Sequence, residues 1–241
     1  MQQCLLSCCE VFVPRPEATS PVPALLNTRM DSQNDKPGFW ESAFNEKGEM
    51  WGFAPANSAV RANDLFLKQG PGKVLVPGIG YGRNARLFVE SGMDVTGIEI
   101  SETAIAMAKK HFGEALKIYH GSVTDMPFDA DLYDGIFCHA LIHLLDAPER
   151  AKLIADCYRQ MAPGGHMIFT VISKTAATYG KGRPIGPDRY EQFGGVNLFF
   201  YDEDAIVAEF SGAGLLSIAP ISENQPFFFI VCRRPLNDIT S

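Results

Sequence analysis

The stretch Lys73-Val-Leu-Val-Pro-Gly-Ile-Gly-Tyr-Gly-Arg-Asn-Ala-Arg-Leu-Phe-Val-Glu-Ser-Gly-Met-Asp-Val-Thr-Gly-Ile-Glu-Ile-Ser101 reads as strand, glycine loop, helix and second strand. Val74 to Val76 form a short apolar run, and Gly78, Gly80 and Gly82 permit a tight turn with close backbone approach to a ligand. Ala85, Leu87 and Phe88 supply the buried face of a short helix, and Asp94 to Ile100 form the next strand. This is half of a nucleotide-binding α/β sheet. Glu99 stands 21 positions past Gly78, at the carboxyl end of the second strand, where a carboxylate accepts hydrogen bonds from both hydroxyls of a ribose.

The third glycine separates two ligand classes. A dinucleotide loop reads G-x-G-x-x-G/A, so that the last small residue lets the helix pack on the strand while the helix N-terminus receives a pyrophosphate. Here that position is Arg83, which disfavours a nicotinamide dehydrogenase. The chain has G-x-G-x-G, a spacing that wraps S-adenosylmethionine, whose zwitterionic tail is smaller and lies across the loop.

On these residues the chain resembles the class I S-adenosylmethionine-dependent methyltransferases. Val74-Leu-Val-Pro-Gly-Ile-Gly80 followed by Gly97-Ile-Glu-Ile-Ser101 is similar to the thiopurine methyltransferase group, and Gly80-Tyr-Gly-Arg-Asn84 to the tellurite-resistance methyltransferases. The resemblance covers residues 40 to 233 and is densest between Lys73 and Gly165. It implies an α/β fold with a Rossmann-like seven-stranded sheet, strand order 3-2-1-4-5-7-6, the last strand antiparallel, and helices on both faces. It also implies methyl transfer from S-adenosylmethionine to a small-molecule acceptor with a sulfur, selenium, tellurium, nitrogen or oxygen nucleophile. The rival reading is a non-catalytic S-adenosylmethionine-binding protein, a sensor or assembly partner.

The same resemblance assigns contacts. Trp51, with Trp40 less directly, closes a wall of the cofactor or substrate pocket, and Ile100 joins Glu99 at the end of its strand. Ser122 and the Val123 amide read the adenine ring, with Asp125 as an alternative partner for the adenine amino group. His139 stands where thiopurine-type enzymes place an arginine against the cofactor, and it is positioned to hydrogen-bond the cofactor or take a proton from substrate. Most class I members carry an acid two residues before the first glycine; here it is Val76, which leaves the partner of the cofactor's ammonium unassigned.

A chain of 241 residues, 46% hydrophobic and 20% charged, is long enough to bury one α/β core. The net charge of −7 offers no basic surface for phosphates, so nucleic acid and anionic membrane are poor partners and a small molecule is the better one. No apolar run approaches a membrane span and the N-terminus lacks a secretory pattern, so a cytoplasmic location is expected. Cys4, Cys8, Cys9, Cys138, Cys157 and Cys232 fit no zinc spacing, and His111, His120 and His166 have no ligand neighbours, so no metal is expected. Residues 1–36, with four prolines and the polar run Asp31 to Lys36, read as a disordered tail, leaving 37–241 as a single methyltransferase domain.

Further along, helices are expected over Ala56–Leu67, with Val60, Leu65 and Leu67 apolar, over Glu102–Phe112 behind an N-capping Ser101, and from Asp146 to Met161. Pro163-Gly-Gly165 should turn that last helix into a strand from His166 to Ile172. Lys174 to Leu198 is polar and glycine-rich and exceeds the ~12–15 residues usual for a structureless connection, so a mobile lid holding Arg183, Arg189 and Tyr190 is expected. A helix to Phe210 and strands at Leu215–Pro220 and Phe227–Cys232 complete the reading.

Overall fold

Residues 36–70 and 72–236 are described by the structure, a computed structural model. The expected tail at 1–36 lies outside them apart from Lys36. Two helices, α1 (Lys36–Lys47) and α2 (Asn57–Leu67), lead into β1 (Lys73–Pro77), α3 (Ala85–Glu90), β2 (Asp94–Glu99), α4 (Glu102–Phe112) and β3 (Lys117–His120). Then come β4 (Tyr133–His139), α5 (Ala147–Gln160) and β5 (Met161–Ile172), three short strands β6 (Arg183–Gly186), β7 (Arg189–Gln192) and β8 (Val196–Phe199), α6 (Glu203–Phe210), β9 (Leu215–Ser222) and β10 (Pro226–Arg233).

The main sheet runs β3-β2-β1-β4-β5-β10-β9, with β10 antiparallel to both neighbours and the first five strands mutually parallel. This is the expected Rossmann-like order. Strands covered on both faces must be apolar on both, and alternation then divides each between two cores. Leu75, Ile136, Cys138 and Phe169 face α5 and α6, whereas Val74, Val76, Phe137 and Ile168 face α2 and α3. Cys138, Cys157 and Cys232 are buried free thiols within this packing. The helix starts follow from their caps: Ser101 Oγ accepts from Ala104 N at 3.1 Å, and Asp146 with Glu149 closes a reciprocal capping box on α5.

Three expectations need correction, and one helix forms where the sequence reading assigned no element. α2 buries Ala59, Ala62 and Phe66, while Val60 and Leu67 are exposed, because the Phe66 ring sits where a side chain at Gly135 would stand. The stretch around Trp40 is a helix, held by packing against α4. α5 ends at Gln160 and β5 begins at Met161, so Pro163-Gly-Gly165 lies within a strand, with Gly164 at φ 80° and an irregular register against β4. The expected structureless lid is a three-stranded antiparallel sheet in the order β6-β7-β8.

That small sheet is anchored by specific contacts. Phe200 and Leu198 pack with Ile172 and Phe227, and Gln192 Nε2 donates to the carbonyls of Thr178 and Lys181 at 2.7 and 2.9 Å. Lys174 Nζ bridges Asp188 and Asp202 at 2.7 and 2.6 Å, and Tyr179 Oη donates to Asp188 at 2.6 Å. Among the described residues, no helix is long and apolar enough to cross a membrane.

Candidate active site

Parallel strands leave their ligand crevice at the carboxyl ends, where the strand order reverses between β1 and β4. A cavity lies there, lined by Trp40, Phe44, Trp51, Gly78, Gly80, Ile98, Glu99, Ile100, Gly121, Ser122, Val123, Ala140, Leu141, Leu144 and Leu145. Glu99 is the one ionisable side chain in that lining. It is 6% exposed and organises the loop: Oε2 accepts from Gly80 N at 2.8 Å, and Oε1 accepts from Ile100 N and Ser101 N at 2.8 and 3.0 Å. Burial raises its pKa above the ordinary glutamate value, while those three N–H donors pull the other way.

The three glycines divide their work. All have positive φ, at 69°, 58° and 85° for Gly78, Gly80 and Gly82. A Cβ on Gly78 would fall 2.1 Å from Leu141 Cδ1, and one on Gly82 would fall 2.5 Å from Phe112 Cε2, so these two permit packing. At Gly80 the nearest atom is Phe44 Cζ at 3.8 Å, so its bare face opens to the cavity. Gly82 is therefore a packing residue outside the lining.

An aromatic wall closes the opposite side. Trp51 stacks on Tyr81 with ring centroids 6.3 Å apart and meets Phe44 edge-on at 5.9 Å, and Trp40 lies 6.4 Å from Trp51. Arg83 Nη1 donates to the Trp51 carbonyl at 3.0 Å, and Tyr81 Oη donates to the Gly52 carbonyl at 2.7 Å, which ties the wall to the glycine loop. α1 is pinned through Glu41, which accepts from Ser101 Oγ at 2.6 Å, Thr103 N at 3.2 Å and Thr103 Oγ1. Those hydroxyl bonds, Ser101 first, hold its carboxyl below the ordinary value. Sequence reading missed Glu41, Phe44 and Tyr81. The available signal was Trp40 and Phe44 four apart, a helical spacing masked by the nearby Pro37 and Gly38.

Ser122 and Val123 line the cavity as expected, and Ser122 Oγ also accepts from Thr124 N at 3.2 Å. Asp125, offered as an alternative adenine contact, is not in the lining; it ends the short helical turn that Ser122 starts. His139 is not in the lining either, because alternation along β4 turns it to the face of Phe137. Its ring lies between Phe137 and Phe227, with centroids at 5.9 and 6.3 Å and near-parallel planes. Its Nδ1 is 3.0 Å from Ser58 Oγ and 2.9 Å from Thr170 Oγ1. Burial lowers its pKa to about 4, with Glu223 opposing and Arg83 reinforcing the shift. The next residue, Ala140, has φ 52° and does line the cavity, so the chain turns sharply between the two positions. Of the lid residues, Arg183 pairs with Glu191, and Tyr190 packs edge-on to Tyr179 and Phe200. Arg189 is partly buried beside Arg150, Asp146 and Glu149, and burial lowers its pKa. None of the three is in the cavity lining.

Residues 75–169 match the family described as "Methyltransferase domain". The ubiquinone biosynthesis O-methyltransferase of Aromatoleum aromaticum is 28% identical over 111 residues, 44% of this chain and 47% of that protein. A probable S-adenosylmethionine-dependent methyltransferase of Mycolicibacterium smegmatis is 27% identical over 155 residues, 60% of this chain and 58% of its own length. The matches thus span about half the length of these curated relatives. Among solved structures, the 1,6-didemethyltoxoflavin-N1-methyltransferase of Burkholderia thailandensis, with S-adenosylhomocysteine bound, superposes with TM-score 0.66 at 17% identity over 83% of this chain and 87% of that one. The magnesium protoporphyrin IX methyltransferase of Synechocystis, with its cofactor bound, gives 0.63 at 13% identity over 87% and 100%. At those identities the likeness is one of fold. The matched segment contains the glycine loop, Glu99, Ser122 and β4.

Proposed function

We propose that this protein transfers the methyl group of S-adenosylmethionine to a small molecule. The observation that carries the reading is the make-up of the cavity wall: bare glycine backbone, one carboxylate, three large aromatic rings and no basic side chain. A dinucleotide pyrophosphate would meet no basic side chain in that lining, and the third small residue that brings a helix N-terminus close to it is Arg83 here. A nucleoside carrying a sulfonium and an ammonium meets aromatic faces and an anion, which attract cations. The matched methyltransferase domain and the O- and N-methyltransferases among the similar proteins support the same chemistry.

The bound cofactor supplies an electrophilic methyl group already activated by positive sulfur. This chain's residues then hold, orient and exclude water. Glu99 fixes the loop through Gly80 N and offers the remaining lone pair of Oε2 to a ribose hydroxyl. Ser122 and the Val123 amide border the base, and Trp40, Phe44 and Trp51 shield the cavity from solvent. Relatives named for oxygen and nitrogen acceptors favour those nucleophiles. The sequence likeness to the thiopurine and tellurite groups keeps sulfur, selenium and tellurium among the candidates. The test is an acceptor screen of phenols, catechols, amines, thiols and tellurite, read by formation of S-adenosylhomocysteine. Acceptor-dependent product is expected. Tight cofactor binding with no product from any class would return the protein to the non-catalytic binding reading.

A further inference from the structure

His139 is fixed on every side except one. The rings of Phe137 and Phe227 lie near-parallel to its own at 5.9 and 6.3 Å, and Ser58 and Thr170 meet its Nδ1. Nε2 has no partner among the described residues, and unlike the Nδ1 of His143 it is not sealed from the surface. Ala140, the next residue along the chain, lines the cavity.

The tautomer follows from the hydroxyls. Thr170 and Ser58 are both fully buried. Thr170 Oγ1 already accepts from Ala140 N at 3.0 Å, so its hydrogen needs an acceptor, and His139 Nδ1 is the one in reach. Ser58 Oγ likewise meets only that nitrogen. A hydrogen on Nδ1 would leave both hydroxyl hydrogens without an acceptor, whereas a bare Nδ1 lone pair takes one of them. The ring hydrogen therefore sits on Nε2. Protonation of the second nitrogen would place a full charge on a ring largely removed from water, and that desolvation keeps the ring neutral.

We infer that His139 orients the methyl acceptor by donating its Nε2–H to an oxygen lone pair of that molecule, and that Thr170 and Ser58 are the positioning residues that hold it as a donor. This rests on the methyltransferase reading and deepens it. The acceptor then carries a carbonyl, phenolic or similar oxygen at or beside its nucleophile. His139 does not take the nucleophile's proton, so suitable acceptors react as free amines, as acidic phenols in their ionised form, or through a base elsewhere. The groups bearing on the ring are Glu223 from the β9–β10 turn, whose carboxylate accepts from Asn57 N and Ser58 N at 3.1 and 2.8 Å, Arg83 from the glycine loop, and His143. The carboxylate disfavours an anionic oxygen at Nε2 and favours a neutral one, so a phenolate that serves as the nucleophile stands beside that contact and not at it.

The test is long-range proton–nitrogen spectroscopy of the full chain labelled in histidine, saturated with S-adenosylhomocysteine, with His139 assigned by its loss in His139→Gln. The neutral Nε2–H form is expected between about pH 5.5 and 8, where an ordinary histidine titrates. Thr170→Val together with Ser58→Ala should convert it to a tautomer mixture without unfolding the chain. A neutral ring carrying its hydrogen on Nδ1, or one that titrates within that range, would overturn the proposal. Addition of acetophenone should then shift the Nε2-bound hydrogen while ethylbenzene, the same shape without the oxygen, should not; equal responses or none would reject the oxygen contact. Failure to bind S-adenosylhomocysteine at all would count against the methyltransferase reading instead, and the tautomer is readable without it.

Discussion

The carboxyl ends of β1 and β2 and those of β4 and β5 belong to one crevice but present different kinds of surface. At the first, the ligand-facing atoms are mostly main chain, and the one charged side chain, Glu99, holds that main chain in place through Gly80 N, Ile100 N and Ser101 N. At the second, the polar groups are side chains from separate elements, His139, Ser58 and Thr170, aligned by two phenylalanine rings. A backbone site depends on where glycines fall; a side-chain site depends on what tertiary packing brings together. The first suits a constant ligand and the second a variable one.

The largest effect should come from breaking the backbone site at its anchor. Glu99→Ala leaves three N–H groups without their acceptor, that of Ser101 buried and those of Gly80 and Ile100 half-buried, so a loss on the order of 3 kcal/mol in chemical unfolding is expected. Affinity for S-adenosylhomocysteine should fall at least tenfold. The milder Glu99→Gln sharpens this through pH. Because burial raises the folded-state pKa of Glu99, cofactor affinity in the native protein should weaken as pH drops through a midpoint above the usual ~4.3. The sign for stability is opposite: a raised folded pKa contributes stability below the unfolded value that is lost as pH rises through the folded one. Acidification thus weakens binding without destabilising the fold through this residue, and the glutamine variant should bind independently of pH in that window.

Gly80→Ala and Gly78→Ala come next, as a matched pair. Both force an alanine to positive φ, at about 1 kcal/mol. At position 78 the methyl also displaces Leu141 from the core, so a melting temperature lower than that of the Gly80 variant is expected. At position 80 the methyl projects into the cavity beside Phe44, so binding should be hit harder than stability. Equal stability losses with equal binding would remove the division of labour among the glycines.

The smallest effect tests the other region. Lys174→Met breaks the bridges to Asp188 and Asp202 that anchor the β6–β8 sheet, where mutual pairing holds the lysine pKa up and both carboxyls down. Hydrogen exchange should quicken in residues 183–199 while affinity for S-adenosylhomocysteine stays within about threefold, since none of residues 183–199 is in the cavity lining. A large drop in affinity would mean that the small sheet supports the cofactor directly.

How much of this the sequence disclosed follows the same division. The glycine loop and Glu99 were legible because main-chain sites impose fixed spacings, Gly78 to Glu99 above all, whereas the strand order and Ser122 followed from the family resemblance that those residues carry. The small sheet was not, because each strand has four residues and its turns rest on Asp188 and Phe193 at positive φ, conformations no local pattern announces. α1 was hidden because its stability comes from the bonds of its Glu41 to Ser101 and Thr103 at the start of α4 and from aromatic packing, not from its own apolar periodicity. The side of β4 that His139 takes was readable from alternation once Phe137 was placed in the core, yet its partners Ser58 and Thr170 lie 81 and 31 residues away.

The proposed function requires that the cavity receive S-adenosylmethionine and not a dinucleotide. Both tryptophans of the chain, Trp40 and Trp51, line that cavity, so intrinsic fluorescence reports occupancy directly. Titrating the full chain with S-adenosylhomocysteine should give a saturable change that Gly80→Ala abolishes, and NAD should give none. No response to S-adenosylhomocysteine, or a saturable response to NAD in its place, would contradict the account.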